Sequence, residues 1–447
     1  MSPVKKTITK KAVSDPKTQV EKRNRLAELL TMAAQIEHDV MVQYLFTAFS
    51  LKKTVEEGGV TYAQLELMRG WATSMMMVAR QEMEHLGYVS NLLTAIGEAP
   101  VLRRPTFPIS ASKFSLNLPS SLDKFSPETV LRFVCYEMPN KVLPSTATYL
   151  KKYIPNFNPA NFDGIYRAYM EIEKLFEEID AADLFIGPPS AQFLTGGNSL
   201  VARGRIYPQK NTGAPSPIYD LSMMPVTDLA SAKAAIKQIV EEGEGASDDA
   251  LNNHFHYFLN MHEQLTAELK KDPKFQPARE VVSNPHVQDG AAIPGINYIT
   301  NPDTIKVMKV FDQAYGTMLL MLMRYFAHTD ESESDLVGLQ ATAFFPMMTV
   351  GIRPLAEVLT QLPAQASGSL RAGPSFTIPK AVQLLPHRKS AWRVILGELQ
   401  LLTSLAEELT TIKTFSPQML ARLTLSYENF ARMTMNFQDA LHARKMQ

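Results

Sequence analysis

Apolar residues recur at helical spacing over most of this chain. Nowhere is there a sustained two-residue alternation of the kind a half-buried strand produces. The first run is the clearest: Leu26, Leu29, Leu30, Ala33, Ile36, Val40, Tyr44 and Ala48 predict one long helix over 20–51. A second helix opens at a Thr61-x-x-Gln64 capping box and stops near Gly97, with Pro100 just beyond. Two long helices joined by a short link pack antiparallel. After a Pro-rich loop over 100–125, Ser126-Pro127-Glu128 caps a third helix, which should be interrupted near Pro139. Further helices are predicted over 164–182, 229–242, 248–271, 303–328, 335–362, 390–411 and 416–445. The stretch 187–227, rich in Gly, Pro, Ser and Asn, is too long for a plain connector and is expected to form a lid or small hairpin. The predicted class is all-α with long loops.

Composition narrows what such a protein does. The 447 residues include 45 Lys+Arg and 45 Asp+Glu, so no basic surplus points to nucleic acid. A single cysteine, Cys135, excludes a disulfide framework and a Cys-rich metal site, and it reads as a small core residue. Residues 1–19 are polar and Lys-rich, without the apolar core of a secretory signal, and are expected to fray. The most apolar run, at Met318 to Met323, meets Arg324 far short of the roughly 20 residues a membrane span needs. A cytoplasmic protein is therefore expected. The 23 methionines read as packing material for a helical core.

The chemistry is carried by acids and histidines set among apolar residues. Glu82 and His85 stand at i, i+3, on one face of a helix whose upstream flank is apolar. Di-metal carboxylate bundles use this unit, with a lone Glu from a neighbouring helix. Glu37, mid-helix in Gln35-Ile36-Glu37-His38-Asp39, suits the lone carboxylate. His38 lies about 100° round the helix and is not expected to ligate the same ion. Glu137 is enclosed by Phe133, Val134 and Tyr136, and Pro139 breaks the helix just after it. Glu241, Glu242 and Glu244 surround a Gly turn, and His254 shares a helix face with Phe258, Met261 and Leu265. An isolated buried charge is costly, and metal ligation removes that cost. Tyr44 and Tyr136, with Tyr257, are candidate radical-quenching groups beside such a site.

Taken in order, these segments resemble the ferritin-like family of iminophenylpyruvate dimer synthase. Its domain also occurs in the enzymes that couple two tryptophan-derived imines in violacein and rebeccamycin biosynthesis. The resemblance rests on Ile36-Glu37-His38, Gln81 to Leu86, Tyr136-Glu137-Met138-Pro139, Glu241 to Gly245, and His254-Phe255 with Phe258. Ala372-Gly373-Pro374-Ser375-Phe376, after Arg353-Pro354-Leu355-Ala356, is a later landmark. It implies a ferritin-like four-helix bundle with additional helices and long loops. On that basis 1–19 is a flexible lead, 20–271 the metal-binding bundle with the insertion 187–227, and 272–447 additional helices packed on it. Carried over by position, the metal ligands are Glu37, Glu82, His85, Glu137, one of Glu241 or Glu244, and His254. Leu251 stands three before His254, so no second Glu-x-x-His forms and the fourth carboxylate must come from the Gly turn.

Three readings of function follow. The first is a non-haem oxidase or oxygenase holding one or two iron ions, or manganese, and acting with dioxygen on a small, amino-acid-derived molecule. It has neither nucleic acid nor membrane as partner, and a homodimer is compatible with it. The second is a ferroxidase-like metal binder without an organic substrate. The third is a structural helical protein with a vestigial site.

Overall fold

A computed structural model describes residues 16–113, 118–179, 184–192, 223–243, 253–288, 290–378, 383–385 and 387–443. The first long helix, α1 (Pro16–Ser50), starts a turn earlier than its apolar pattern predicts. From Ile36 to Ser50 almost every residue is buried, polar ones included, so α1 is wrapped on all sides. Its C-terminus is held by Arg279, which donates to the carbonyls of Phe49 and Leu51 at 3.2 and 3.0 Å and pairs with Glu57 at 2.6 Å. A cation there satisfies orphan carbonyls and suits the negative end of the helix dipole.

The predicted capping box starts α2 (Tyr62–Ala95): Gln64 N donates to Thr61 Oγ1 at 3.3 Å and Thr61 N to Gln64 Oε1 at 2.8 Å. Gly97 ends it at φ +85°, where Glu98 N reaches back to Leu93 O at 2.9 Å. Ser126 caps α3 (Pro127–Tyr136) by accepting from Thr129 N at 3.2 Å. A short α4 (Pro144–Leu150), absent from the sequence reading, precedes α5 (Gly164–Glu178). Asp228 caps α6 (Leu229–Glu242) and Asn253 caps α7 (His254–Lys271).

Helices α1, α2, α3 and α7 form the bundle, and α5 and α6 lie along its flank. Tyr44, Phe133 and Phe258 join three of the four: the Tyr44 ring lies 4.6 and 4.7 Å from the other two, which are 5.3 Å apart. A two-residue parallel pair, β1 (Pro285–His286) with β2 (Asn297–Tyr298), leads into α8 (Pro302–Phe326). The single helix expected over 335–362 is three pieces: α9 (Glu333–Thr342), a π-helix (Ala343–Ile352) and α10 (Arg353–Leu359). Pro346 lies inside the π segment, where its missing N–H breaks the regular ladder. The C-terminal α11 (Arg388–Leu409) and α12 (Pro417–Ala443) pack on each other through Trp392 stacked on Phe437. No helix among the described residues is long and apolar enough to cross a membrane. Most of 187–227, where a lid was expected, lies outside the described residues.

Candidate metal centre

Five of the predicted ligands meet at one point inside the bundle. Glu37 comes from the middle of α1, Glu82 and His85 from one face of α2, Glu137 from just beyond α3, and His254 from the first residue of α7. Glu37, Glu82, His85, Glu137 and His254 are all wholly buried. They make two overlapping triads, Glu37–Glu82–His85 and Glu82–Glu137–His254. Glu82 belongs to both: its Oε2 lies 3.1 Å from His85 Nδ1 and its Oε1 lies 2.9 Å from His254 Nδ1. Glu37 Oε2 is 3.5 Å from His85 Nδ1, and Glu137 Oε2 is 3.4 Å from His254 Nδ1. The two imidazoles lie nearly parallel, 5.5 Å apart.

The orientation of these atoms matters more than their spacing. Glu37 Oε2, Glu82 Oε1, Glu137 Oε2 and His254 Nδ1 are buried yet make no aligned hydrogen bond. They stand close together without aiming at one another, as donor atoms do when they converge on a common centre. Buried polar groups are otherwise paired, because an orphan costs about 1–3 kcal/mol. The donor set, carboxylate oxygens with imidazole nitrogens, fits iron or manganese.

Each outward-facing atom has a partner. The Tyr169 hydroxyl on α5 donates to Glu37 Oε1, and the Tyr44 hydroxyl donates to Glu137 Oε1. Gln81 Oε1 lies 3.3 Å from His254 Nε2, and Glu242 Oε2 lies 3.3 Å from His85 Nε2. Such outer contacts fix ring orientation and ligand basicity. Burial lifts the Glu37 carboxyl to about 7, and neighbouring Glu82 adds to the rise. Burial by itself would depress His254, but the Glu82 and Glu137 carboxylates outweigh it and raise the ring to about 9. His85 is raised likewise, against its burial, by contacts with Glu242, Glu37 and Glu82.

Several expectations are corrected here. Glu241 points away from the centre, largely exposed beside Lys237 at 3.5 Å, and Glu244 lies outside the described residues. The acid that α6 turns inward is Glu242. The buried positions of that helix, Ala232, Ala235, Ile236 and Ile239, put 242 on the same face, so the periodicity held the signal. Tyr136 does not face the ligands: its hydroxyl donates to Pro119 O at 3.0 Å and Gln43 Oε1 at 3.3 Å. Tyr257 is half-buried on α7. Tyr169 was missed, since nothing local in α5 marks it. Cys135 is a buried core thiol, lifted to about 12 by burial. His38 faces another way and hydrogen-bonds Tyr315.

A family model described as Ferritin-like matches residues 30–263, more than half of the chain. The chain belongs to the ferritin-like family. This ferritin-like protein is 27% identical over 409 residues to a dichlorochromopyrrolate synthase of Lentzea aerocolonigenes, covering 85% of this chain and 38% of that one. It is 27% identical over 376 residues to a 2-imino-3-(indol-3-yl)propanoate dimerase of Chromobacterium violaceum, covering 80% and 34%. It thus spans little more than a third of the length of these curated relatives. A solved ferritin-like protein from Caulobacter vibrioides superposes with a TM-score of 0.40 at 17% identity, covering 72% of this chain and 95% of that one.

Glu84 provides an internal control. It is buried, two residues from Glu82, yet it pairs with Arg80 at 3.4 Å and belongs to neither triad. Glu137→Gln is expected to weaken metal binding far more than Glu84→Gln, read by titration of each purified variant with ferrous or manganous ion. Equal losses would show that Glu82 and Glu137 do not share an ion.

Proposed function

We propose that this ferritin-like protein is a metal-dependent oxidase that holds iron, or alternatively manganese, in the two triads. It uses dioxygen to oxidise a small amino-acid-derived molecule, an imino acid of the kind named in its dimerase relative. The observation that carries this reading is the set of four buried, unaligned donor atoms on Glu37, Glu82, Glu137 and His254. Charge supports two ions. The two triads hold the buried carboxylates of Glu37, Glu82 and Glu137, with partly exposed Glu242 beside His85, and two divalent cations would balance these four with both imidazoles neutral.

The ions would be held by Glu37, Glu82 and His85 on one side and by Glu82, Glu137 and His254 on the other. Iron held there would supply one-electron redox chemistry. The rest belongs to the chain's own residues. Tyr169 and Tyr44 occupy the outer oxygens of Glu37 and Glu137, leaving the inner ones turned to the centre. Gln81 and Glu242 each hold the far nitrogen of an imidazole, so that both Nδ1 atoms point inward. Aromatic packing by Tyr44, Phe133 and Phe258 excludes bulk water from one side. The Tyr44 hydroxyl, on a ligand oxygen, is a proton and hydrogen-atom source on the Glu137 side.

The test is oxygen consumption by the iron-loaded protein. Uptake should require an imino acid generated in the cuvette from an aromatic amino acid, and should not exceed background with iron alone. Uptake driven by ferrous ion with no organic compound would replace this reading with a ferroxidase. Stoichiometric metal with no uptake under either condition would refute both.

A further inference from the structure

The Ala372–Phe376 landmark takes no part in the metal centre, and its own surroundings are those of a second site. Gly373 packs so tightly that a Cβ there would lie 2.7 Å from the Phe46 ring of α1. Ser375 donates to Asp312 of α8, which anchors the turn. Phe376 follows in the left-handed region at φ 48° and presents its carbonyl to Arg104. The segment thereby forms one wall of a cavity of about 220 Å³. The opposite wall is Arg103, Arg104 and Phe107, from the loop after α2, and the β1 residues Pro285 and His286 close the side. This volume far exceeds the roughly 30 Å³ share of one water.

Its charge is one-sided. Two arginines line it and no carboxylate does. Arg104 stacks on Phe107 at 4.4 Å and donates from its two terminal nitrogens to the carbonyls of Pro105 and Phe376. Its Nε is buried without a partner, and neither Arg103 nor Arg104 makes an ion pair among the described residues. A guanidinium locked by packing, with no ion pair of its own and only the buried Asp39 and Asp312 acting on it from farther off, is preorganised to take an acid group. Leu122, Phe107, Phe376 and Ile378 give it an apolar and aromatic side, and Thr106, Asn284, Ser375 and Thr377 make the rest of the lining polar. None of Glu37, Glu82, His85, Glu137 and His254 lines this cavity.

We propose that this cavity binds a small aromatic carboxylate, its acid group held by Arg104 and Arg103 and its ring resting against Phe107 and Phe376. Recognition is by charge at one end and apolar contact at the other. A ringless anion such as phosphate satisfies only half of the site, and a neutral amide only the other half.

The experiment is calorimetric titration of the full chain with benzoate, benzamide and inorganic phosphate as probes. Benzoate is expected to bind at least tenfold more tightly than benzamide, the loss expected when a charge-assisted pair of about 1.5–3 kcal/mol is removed. Phosphate should bind more weakly than benzoate. Arg104→Gln should weaken benzoate at least tenfold while leaving metal stoichiometry unchanged. Arg103→Gln, at the exposed rim, should weaken it less and serves if the Arg104 variant does not fold. Benzamide matching benzoate, phosphate matching benzoate, no heat with benzoate at millimolar concentration, or unaltered benzoate affinity in both variants would each overturn the proposal.

Discussion

Glu82→Ala is expected to empty both metal positions at once. Its two oxygens face different imidazoles, 3.1 Å from His85 and 2.9 Å from His254, and both triads include it. Removing a neighbouring, outer partner of a ligand costs about 10- to 100-fold in affinity, and losing a shared ligand should exceed that. Elemental analysis after dialysis should find the Glu82→Ala protein without bound iron. Glu37→Ala should retain binding at Glu82–Glu137–His254, and Glu137→Ala at Glu37–Glu82–His85. The variant should still fold, because the carboxylate removed is itself a buried charge in a crowded acidic cluster. Full metal retention in Glu82→Ala would mean that the two triads are independent of it and that the bridging arrangement is wrong.

The second large effect is the pH dependence of the metal-free protein set against that of the loaded one. His254 is raised from the ordinary 6.5 to about 9 by Glu82 and Glu137, working against its burial. A group whose pKa rises on folding stabilises the fold fully below its unfolded value, and that contribution is lost as pH climbs through the folded value. His85, also raised, acts in the same direction. The metal-free protein should therefore lose stability between about pH 6.5 and 9, on the order of 3 kcal/mol from His254 alone. Metal binding reverses the requirement, since ligands bind deprotonated and affinity grows with pH. Thermal melts at pH 6.5 and 9 should show a falling Tm without metal and a widening gap with it. A metal-free Tm that does not fall over that range would indicate that protons do not occupy the imidazoles in the absence of the ion.

How far the site was legible depended on whether burial left a local trace. Glu82 and His85 stood out because an apolar flank showed that their helix was enclosed, and helical spacing put them on one face. Glu137 was visible for the same reason, framed by Phe133, Val134 and Tyr136. The resemblance points to Glu241 or Glu244, whereas Ile236 and Ile239 put Glu242 on the inward face of α6 and turn Glu241 outward. Tyr136 adjoins Glu137 in the sequence, yet neighbours along a helix point about 100° apart, and its hydroxyl turns to Pro119 and Gln43. Tyr169 left no trace at all: it reaches Glu37 from α5, 132 positions away along the chain, and only tertiary packing brings it there. The long helices were readable from periodicity and caps. The π segment was not, because an apolar run containing Pro346 reads as ordinary helix until neighbouring helices fix its register.

Position 243 carries a consequence for altering this protein. A Cβ on Gly243 would sit 3.5 Å from His85 Cε1 on α2 and 3.7 Å from Glu137 Oε2 just beyond α3. The space beside His85 and Glu137 is therefore bounded by a residue without a side chain. An added methyl would press on the Ile239 carbonyl at 3.2 Å and come into van der Waals contact with the Glu137 donor oxygen, so substitution of this glycine should crowd the ligands themselves.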